Sequence, residues 1–195
     1  MKTLGTEWNW DRGPIRTFVC KKPVRTPDDL EGVKLRLWSS DVALRLWKHM
    51  GASPIVMAWG EVYLGLKTGT VNAVTSPANA LWPNKFTEVA KYVTFLDQIV
   101  QTINLHMNKA LFDTLSEEYQ NILIDSANDA GAYYTSLVNG NWETDKNRMI
   151  EEHGAEFLTV DLTPWVQKAQ PMIYEFEEEE LLPKGLYDRF QAIPD

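Results

Sequence analysis

Arg36 sits in a run, VKLRLW, whose alternation places Val33, Leu35 and Leu37 on one face and Lys34, Arg36 and Trp38 on the other. A guanidinium on the polar face of a short strand offers two parallel N–H donors. That geometry suits a carboxylate, and such charge-assisted bonds gain most where water is excluded. Trp38 and a second indole, Trp59, would supply that exclusion, and the hydroxyls of Thr75 and Ser76 would add polar contacts. The chemistry this set could do is capture of an organic acid. An exposed strand arginine, or one locked in a structural ion pair, would give the same pattern.

The other reactive side chains are scattered. His49, His106 and His153 fall in different expected elements and share no metal-ligand spacing. His49 reads as a surface or boundary residue, His106 as a hydrogen-bonded structural histidine on an apolar strand, and His153 as a cation at a helix end. Cys20, the only cysteine, excludes an internal disulfide and reads as a buried apolar residue rather than a nucleophile. Phosphate loops, dinucleotide fingerprints, nucleophile elbows and H-E-x-x-H pairs are absent. No catalytic residue, metal ligand or cofactor is therefore assigned.

The elements that must hold these residues form one continuous run from Val33 to Pro77. A strand (VKLRLW) leads through Ser39, Ser40 and Asp41 to a helix stopping at Gly51. A second strand (SPIVMA) leads to a second helix (WGEVYLGLKTG) ending at Gly69, and a third strand (VNAVTS) closes the run. Strand–helix–strand–helix–strand builds a parallel sheet, and ligands bind outside the carboxyl ends of such strands. Arg36, Trp38, Trp59, Thr75 and Ser76 all fall at those ends.

Around this run, Thr17–Lys21 reads as a strand with Arg16 at its start, and residues 27–31 as a helical turn capped by Thr26 and Asp29. ANALWP is a loop or short helix, and KFTEVA one or two turns. Strands are expected at 91–96 and 99–107, and a short helix after Asn108. The longest helical pattern runs from Ser116 to His153, with a kink expected near Asn139–Gly140 and a stop at Gly154. A strand (AEFLTV) and a helix from Thr163 to Glu180 follow. The run Glu175–Glu180 reads as a solvated face with Phe176 turned inward. The fold class is α/β: a mostly parallel sheet flanked by helices, with one long connecting helix.

The chain has 195 residues, enough for a substantial core. Its net charge of −8 argues against non-specific nucleic-acid binding. No run approaches the roughly 20 apolar residues of a membrane span. The N-terminus, MKTLGTEWNWDRG, lacks the apolar core of a secretory signal. Of the eight tryptophans most are expected to pack, and some to line a ligand cleft.

Four segments in order (VRTPDDLEGVKLR, GASPIVMAWGEVYLGLKTGTVNAV, KFTEVAKYVT and LSEEYQNILIDSANDAGAY) resemble the solute-binding proteins of TRAP transporters, the C4-dicarboxylate and sialic acid receptor family. The likeness runs from about Arg16 to the C-terminus. It implies a periplasmic-binding-protein-like lobe, a small organic carboxylate as ligand, a TRAP membrane permease as partner and a periplasmic location. It implies Arg36 as carboxylate anchor, Arg16 as a second cation and Trp59 as a pocket wall.

Two departures from the family pattern bear on the ligand. A small residue and proline usually follow the anchor, whereas Leu37 and Trp38 stand here. Ser76 occupies a position where many members have a ligand-contacting asparagine, which Asn79 could replace. The expected ligand-binding set is Arg36, Arg16, Trp38, Ser39, Trp59, Ser76 and Asn79, and the two indoles point to an acid larger or flatter than succinate.

Family members are two-lobed and longer. This chain is expected to hold the second, carboxylate-anchoring lobe in residues 14–101 and 142–195. Residues 102–141 would be a remnant of the first lobe with the long helix, and 1–13 an irregular opening segment. Apolar surface left where a first lobe would sit would favour a homodimer. Two other readings remain open: a small α/β enzyme using Glu61 or Asp41 near Arg36, and an interaction module that keeps the fold without a ligand.

Overall fold

The computed structural model describes residues 1–4, 16–96 and 104–193. Six strands form one sheet in the order β4-β3-β5-β2-β6-β8: β2 (Arg16–Cys20), β3 (Lys34–Leu37), β4 (Ser53–Val56), β5 (Ala73–Pro77), β6 (Tyr92–Phe95) and β8 (Glu156–Thr159). β3 runs parallel to both β4 and β5, and β6 parallel to β8. β2 lies antiparallel to its neighbours β5 and β6. Five strands therefore share one direction and β2 alone is reversed. The carboxyl ends of the five and the start of β2 lie along one edge.

The alternation seen in the sequence sorts the core into two layers. Phe18, Leu35, Leu37 and Ala73 pack on one face beneath α1 (Asp41–His49) and α6 (Thr163–Glu178), where Phe18 stacks on Trp47 at 5.3 Å. Val19, Val74 and Val93 pack on the other beneath α2 (Val62–Thr68), α3 (Phe86–Val89) and the end of α5 (Glu117–His153), with Leu66, Phe86 and Met149 fully buried. β2 is covered on both sides, and all five of its residues are buried.

Local chemistry explains the helix ends. Ser40 caps α1, its hydroxyl accepting from the Ala43 N–H, with Asp41 in the first turn and Lys48 and His49 in the last. Asp29 takes the N–H groups of Arg25 and Thr26, which holds its carboxyl below the usual range and pins the turn Pro27–Leu30. Gly69 and Gly154 close α2 and α5 in the left-handed conformation that a side chain would oppose.

Several expectations change. The opening segment holds a strand, β1 (Lys2–Leu4), paired antiparallel with β7 (Leu105–Met107), and the short helix expected after Asn108 follows as α4 (Lys109–Asp113). Three residues pairing across a hundred positions leave no local signal. Positions 99–103 of the strand expected at 99–107, and residues 5–15, lie outside the described residues, and Asn104 falls before β7. His106 on β7 has the hydrogen bond expected of it, its Nδ1 lying 3.3 Å from the Thr3 hydroxyl, but on a strand that is mostly exposed rather than apolar and covered.

α5 passes unbroken through Asn139 and Gly140, because a glycine costs a helix only about 1 kcal/mol relative to alanine. Glu177 is not solvated. It is 7% exposed and accepts the N–H groups of Gly185 and Tyr187, which fastens α7 (Leu186–Gln191) to α6 and holds the Glu177 carboxyl below its ordinary range. Glu175 and Glu179 both engage Arg45 of α1, and Phe176 is buried as expected.

Candidate functional site

The edge where five strands end carries the expected residues, and they divide between the sheet's faces. Arg36 pairs in register with Val74, on the face of α2 and α3. Arg16 shares its face with Phe18 and Thr75, under α1. β5 lies between their two strands. The guanidiniums therefore leave opposite faces and share the strand-end edge.

Arg36 is 5% exposed. Its Nε–H donates to the Met57 carbonyl oxygen at 2.9 Å, and its Cζ lies 5.2 Å from the centre of the Trp59 ring. Among the described residues no carboxylate pairs with it, and Nε is its sole hydrogen-bond donor to protein. Burial lowers the pKa of its guanidinium from the ordinary arginine value, because the charge has lost water without gaining an anion. The ion pair that the alternation alone allowed is absent among the described residues.

Arg16, 7% exposed, donates from Nε to the Thr75 hydroxyl and from Nη2 to the Thr75 carbonyl oxygen, both at 3.1 Å. Its Cζ lies 4.7 Å from the Trp38 ring centre. Trp38 follows the last residue of β3, so this stack spans the end of β5. Each indole thus lies against a guanidinium. Trp38 and Trp59 are 37% and 39% exposed, and Trp59 also meets Phe86 edge-on at 5.3 Å.

The smaller polar residues differ in freedom. Ser39 is exposed in the loop before α1. Ser76 is fully buried. Its hydroxyl donates to the Pro77 carbonyl at 3.0 Å and its carbonyl accepts the Thr17 hydroxyl at 2.9 Å, so the side chain retains only acceptor capacity. Asn79 stands in the helical turn after β5, and its Oδ1 is buried with no hydrogen-bond donor among the described residues. A buried acceptor without a donor costs roughly 1–3 kcal/mol.

Sequence reasoning missed Met57 and Phe86. The Met57 contact is made by a backbone carbonyl, which no residue identity announces. Phe86 reaches Trp59 only once α3 folds back against α2. Cys20 is 2% exposed at the far end of β2, and burial pushes its thiol up, away from the nucleophilic form. The arrangement places a buried guanidinium with no carboxylate partner among the described residues at the strand-end edge, between backbone and an indole.

Residues 2–180 match the family described as bacterial extracellular solute-binding protein, family 7. The 2,3-diketo-L-gulonate-binding periplasmic protein YiaO of Escherichia coli K12 is 37% identical over 153 residues, which are 77% of this chain and 45% of that protein. The chain spans about half the length of the curated relatives it matches. A TRAP periplasmic solute binding protein from Ochrobacterium anthropi, solved with L-fuconate bound, superposes with a TM-score of 0.80 at 30% identity, covering 97% of this chain and 61% of that one. One from Pseudomonas putida F1, with D-glucuronate bound, gives 0.83 at 23% identity, over 99% of this chain and 60% of that one, a likeness of fold.

Proposed function

The chain belongs to bacterial extracellular solute-binding protein family 7, and from that premise we propose that it binds a small organic carboxylate, of the sugar-acid type, with Arg36 as the anchor. The family is one of solute-binding proteins rather than enzymes. One observation carries the reading: Arg36 is buried and has no counter-ion among the described residues. An unpaired buried cation is costly, and a ligand carboxylate placed before its two Nη groups removes that cost.

The supporting roles follow from what each side chain has left to offer. Arg16 adds positive potential from across β5 and orients Trp38. Trp38 and Trp59 shield the guanidiniums while keeping ring area for a ligand. Asn79, Ser39 and Ser76 lie along the same edge as secondary polar contacts. Relatives with L-fuconate, β-D-galacturonate and L-galactonate bound favour an acid that carries several hydroxyls.

In the whole protein this unit works outside the cytoplasm, in the periplasm, and delivers its ligand to a TRAP membrane permease. Residues 14–101 and 142–195 form the carboxylate-anchoring lobe. Residues 102–141 belong with the first lobe and the long helix. Tyr119, Ile122, Tyr133 and Leu137 fall within about 60° of one another around α5 at 100° per residue, and each is 45–66% exposed. This stripe is the surface through which the isolated chain pairs with a second copy, which native mass spectrometry would read as a dimer.

Calorimetry against L-fuconate, L-galactonate, D-glucuronate and succinate tests the ligand assignment. One acid should bind, and Arg36→Ala should weaken it by about 2–5 kcal/mol. Undiminished affinity in Arg36→Ala would remove Arg36 as anchor, and turnover of the acid would favour the enzyme reading.

A further inference from the structure

The two buried guanidiniums of the strand-end edge are not equivalent. Arg36 gives the protein one N–H, from Nε, to the Met57 carbonyl oxygen. Arg16 gives a pair, from Nε and Nη2, to the hydroxyl and carbonyl oxygens of Thr75. Two donors on one side of a guanidinium are what a carboxylate would otherwise grip, and in Arg16 they are already engaged. One flat face of Arg16 is engaged as well, by the Trp38 ring centred 4.7 Å from its Cζ.

The position of that indole matters more than its contact. β3, β5 and β2 lie side by side, so Arg36 and Arg16 start two strand spacings apart, about 10 Å. Trp38 continues β3 and stacks on Arg16 of β2, so its ring crosses the end of β5, between the two cations. It is 37% exposed and therefore forms part of the surface of the edge. A ligand held by one carboxylate on Arg36 and extending towards Arg16 meets ring carbon first. A second carboxylate placed there sheds its hydration and gains no ion pair, which is costly. A neutral hydroxymethyl group at the same place gives up far less.

We infer that Trp38 determines specificity at this site: by covering Arg16 it restricts the site to acids with a single carboxylate and rejects the corresponding diacids. The inference rests on the reading of Arg36 as the carboxylate anchor and adds the charge class of the ligand.

Two pairs of acids are the probes. Galactarate is L-galactonate with its terminal CH2OH oxidised to a carboxylate, and D-glucarate is D-glucuronate with its aldehyde carbon so oxidised. In isothermal titration of the full chain, the diacid should bind at least about 10-fold more weakly than its monoacid, the penalty of one carboxylate left unpaired. Trp38→Ala should close that gap by a gain in diacid affinity of about 10-fold. Trp38→Phe, which keeps a ring over Arg16, should retain the gap. Arg16→Gln in the Trp38→Ala background should cancel the gain. Should that double variant not fold, salt gives the second readout: diacid affinity should fall more steeply with ionic strength in Trp38→Ala than in the wild type, because a further cation is engaged. Equal affinity for both members of a pair in the wild type would overturn the inference and leave the Arg36 anchor standing. So would a gap that survives in Trp38→Ala, or one that closes only because the monoacid weakens. Absence of binding by all four acids would overturn the sugar-acid reading and the inference together.

Discussion

The Arg36 Nε–H and the Met57 carbonyl oxygen, 2.9 Å apart, tie the end of β3 to the chain that follows β4. The Met57 N–H returns the contact to the Leu37 carbonyl at 3.2 Å. The guanidinium is thereby oriented from one side by backbone, while Trp59 stacks against it from the loop two residues on. An arginine held by Nε presents its two Nη groups as a fork. That pre-orientation separates a carboxylate clamp from a mobile surface cation.

Arg36→Lys therefore tests the fork rather than the charge. Lysine keeps a cation but loses both the Nε bond to Met57 and the planar pair of donors. The variant should bind the acid about 10-fold or more weakly than the wild type, the equivalent of losing one charge-assisted hydrogen bond. It should melt within a few degrees of the wild type. Isothermal titration with the acid identified for the wild type, and calorimetric melting, measure the two quantities.

Gly65 probes the same clamp from behind. A Cβ built there would lie 2.8 Å from Met57 Sδ, 2.9 Å from its Cε and 3.2 Å from Val71 Cγ2. Gly65→Ala must push the Met57 side chain aside, and overpacking of this kind costs roughly 1–3 kcal/mol. Methionine is flexible, so the low end is expected for stability. Because the Met57 carbonyl holds Arg36, ligand affinity should fall as well. A variant that loses stability but keeps full affinity would separate the two effects.

The parallel run was legible in the sequence because each of its signals is local. Alternation in VKLRLW, the Ser40 cap and the Gly69 stop each need only a few neighbours, and the strands and helices from β3 to β5 lie where those signals place them. The reversed direction of β2 was not legible. RTFVC is covered on both faces, so its burial shows no alternation, and only pairing with β5 and β6 sets its sense. That reversal puts Arg16, the first residue of β2, at the edge where the other strands finish. The same register turns its side chain to the face opposite Arg36.

The site was legible as residue types and illegible as bonds. Arg36, Trp38 and Trp59 stand out by chemistry and position. Which indole meets which arginine depends on strand order: β5 separates β3 from β2, so Trp38 spans it to reach Arg16 and leaves Trp59 to Arg36. The acidic run at 175–180 misled for a related reason. Composition describes a solvated face, whereas Glu177 turns inward to backbone N–H groups ten residues or fewer along the chain.

Glu177 gives a pH signature. Its carboxyl is held below its ordinary value, chiefly by the Tyr187 and Gly185 N–H groups. A group with a depressed folded-state pKa contributes stability that is present above the unfolded value and is lost as pH falls through the folded one. Glu177→Gln should therefore melt lower than the wild type at neutral pH. The gap should narrow as pH drops below the usual carboxylate range, near 4.5, where the wild type loses the same contribution. Melting followed from pH 7 to pH 3 measures this, and a gap constant across the range would deny the carboxylate its role in holding α7.

Phe18→Ala tests whether the layer beneath α1 and α6 is one cooperative core. Phe18 is fully buried on β2 and stacks on Trp47 with ring centres 5.3 Å apart and planes 28° from parallel. Truncation removes the ring from both the sheet and α1, and Phe→Ala in a packed core costs about 3–5 kcal/mol. The same face carries Leu35, Leu37 and Trp165 in continuous contact, so loss at Phe18 should lower the whole denaturant midpoint in one transition. A midpoint shift equivalent to less than about 1 kcal/mol would mean that Trp47 collapses into the space, and the α1–α6 layer would then be softer than its burial indicates.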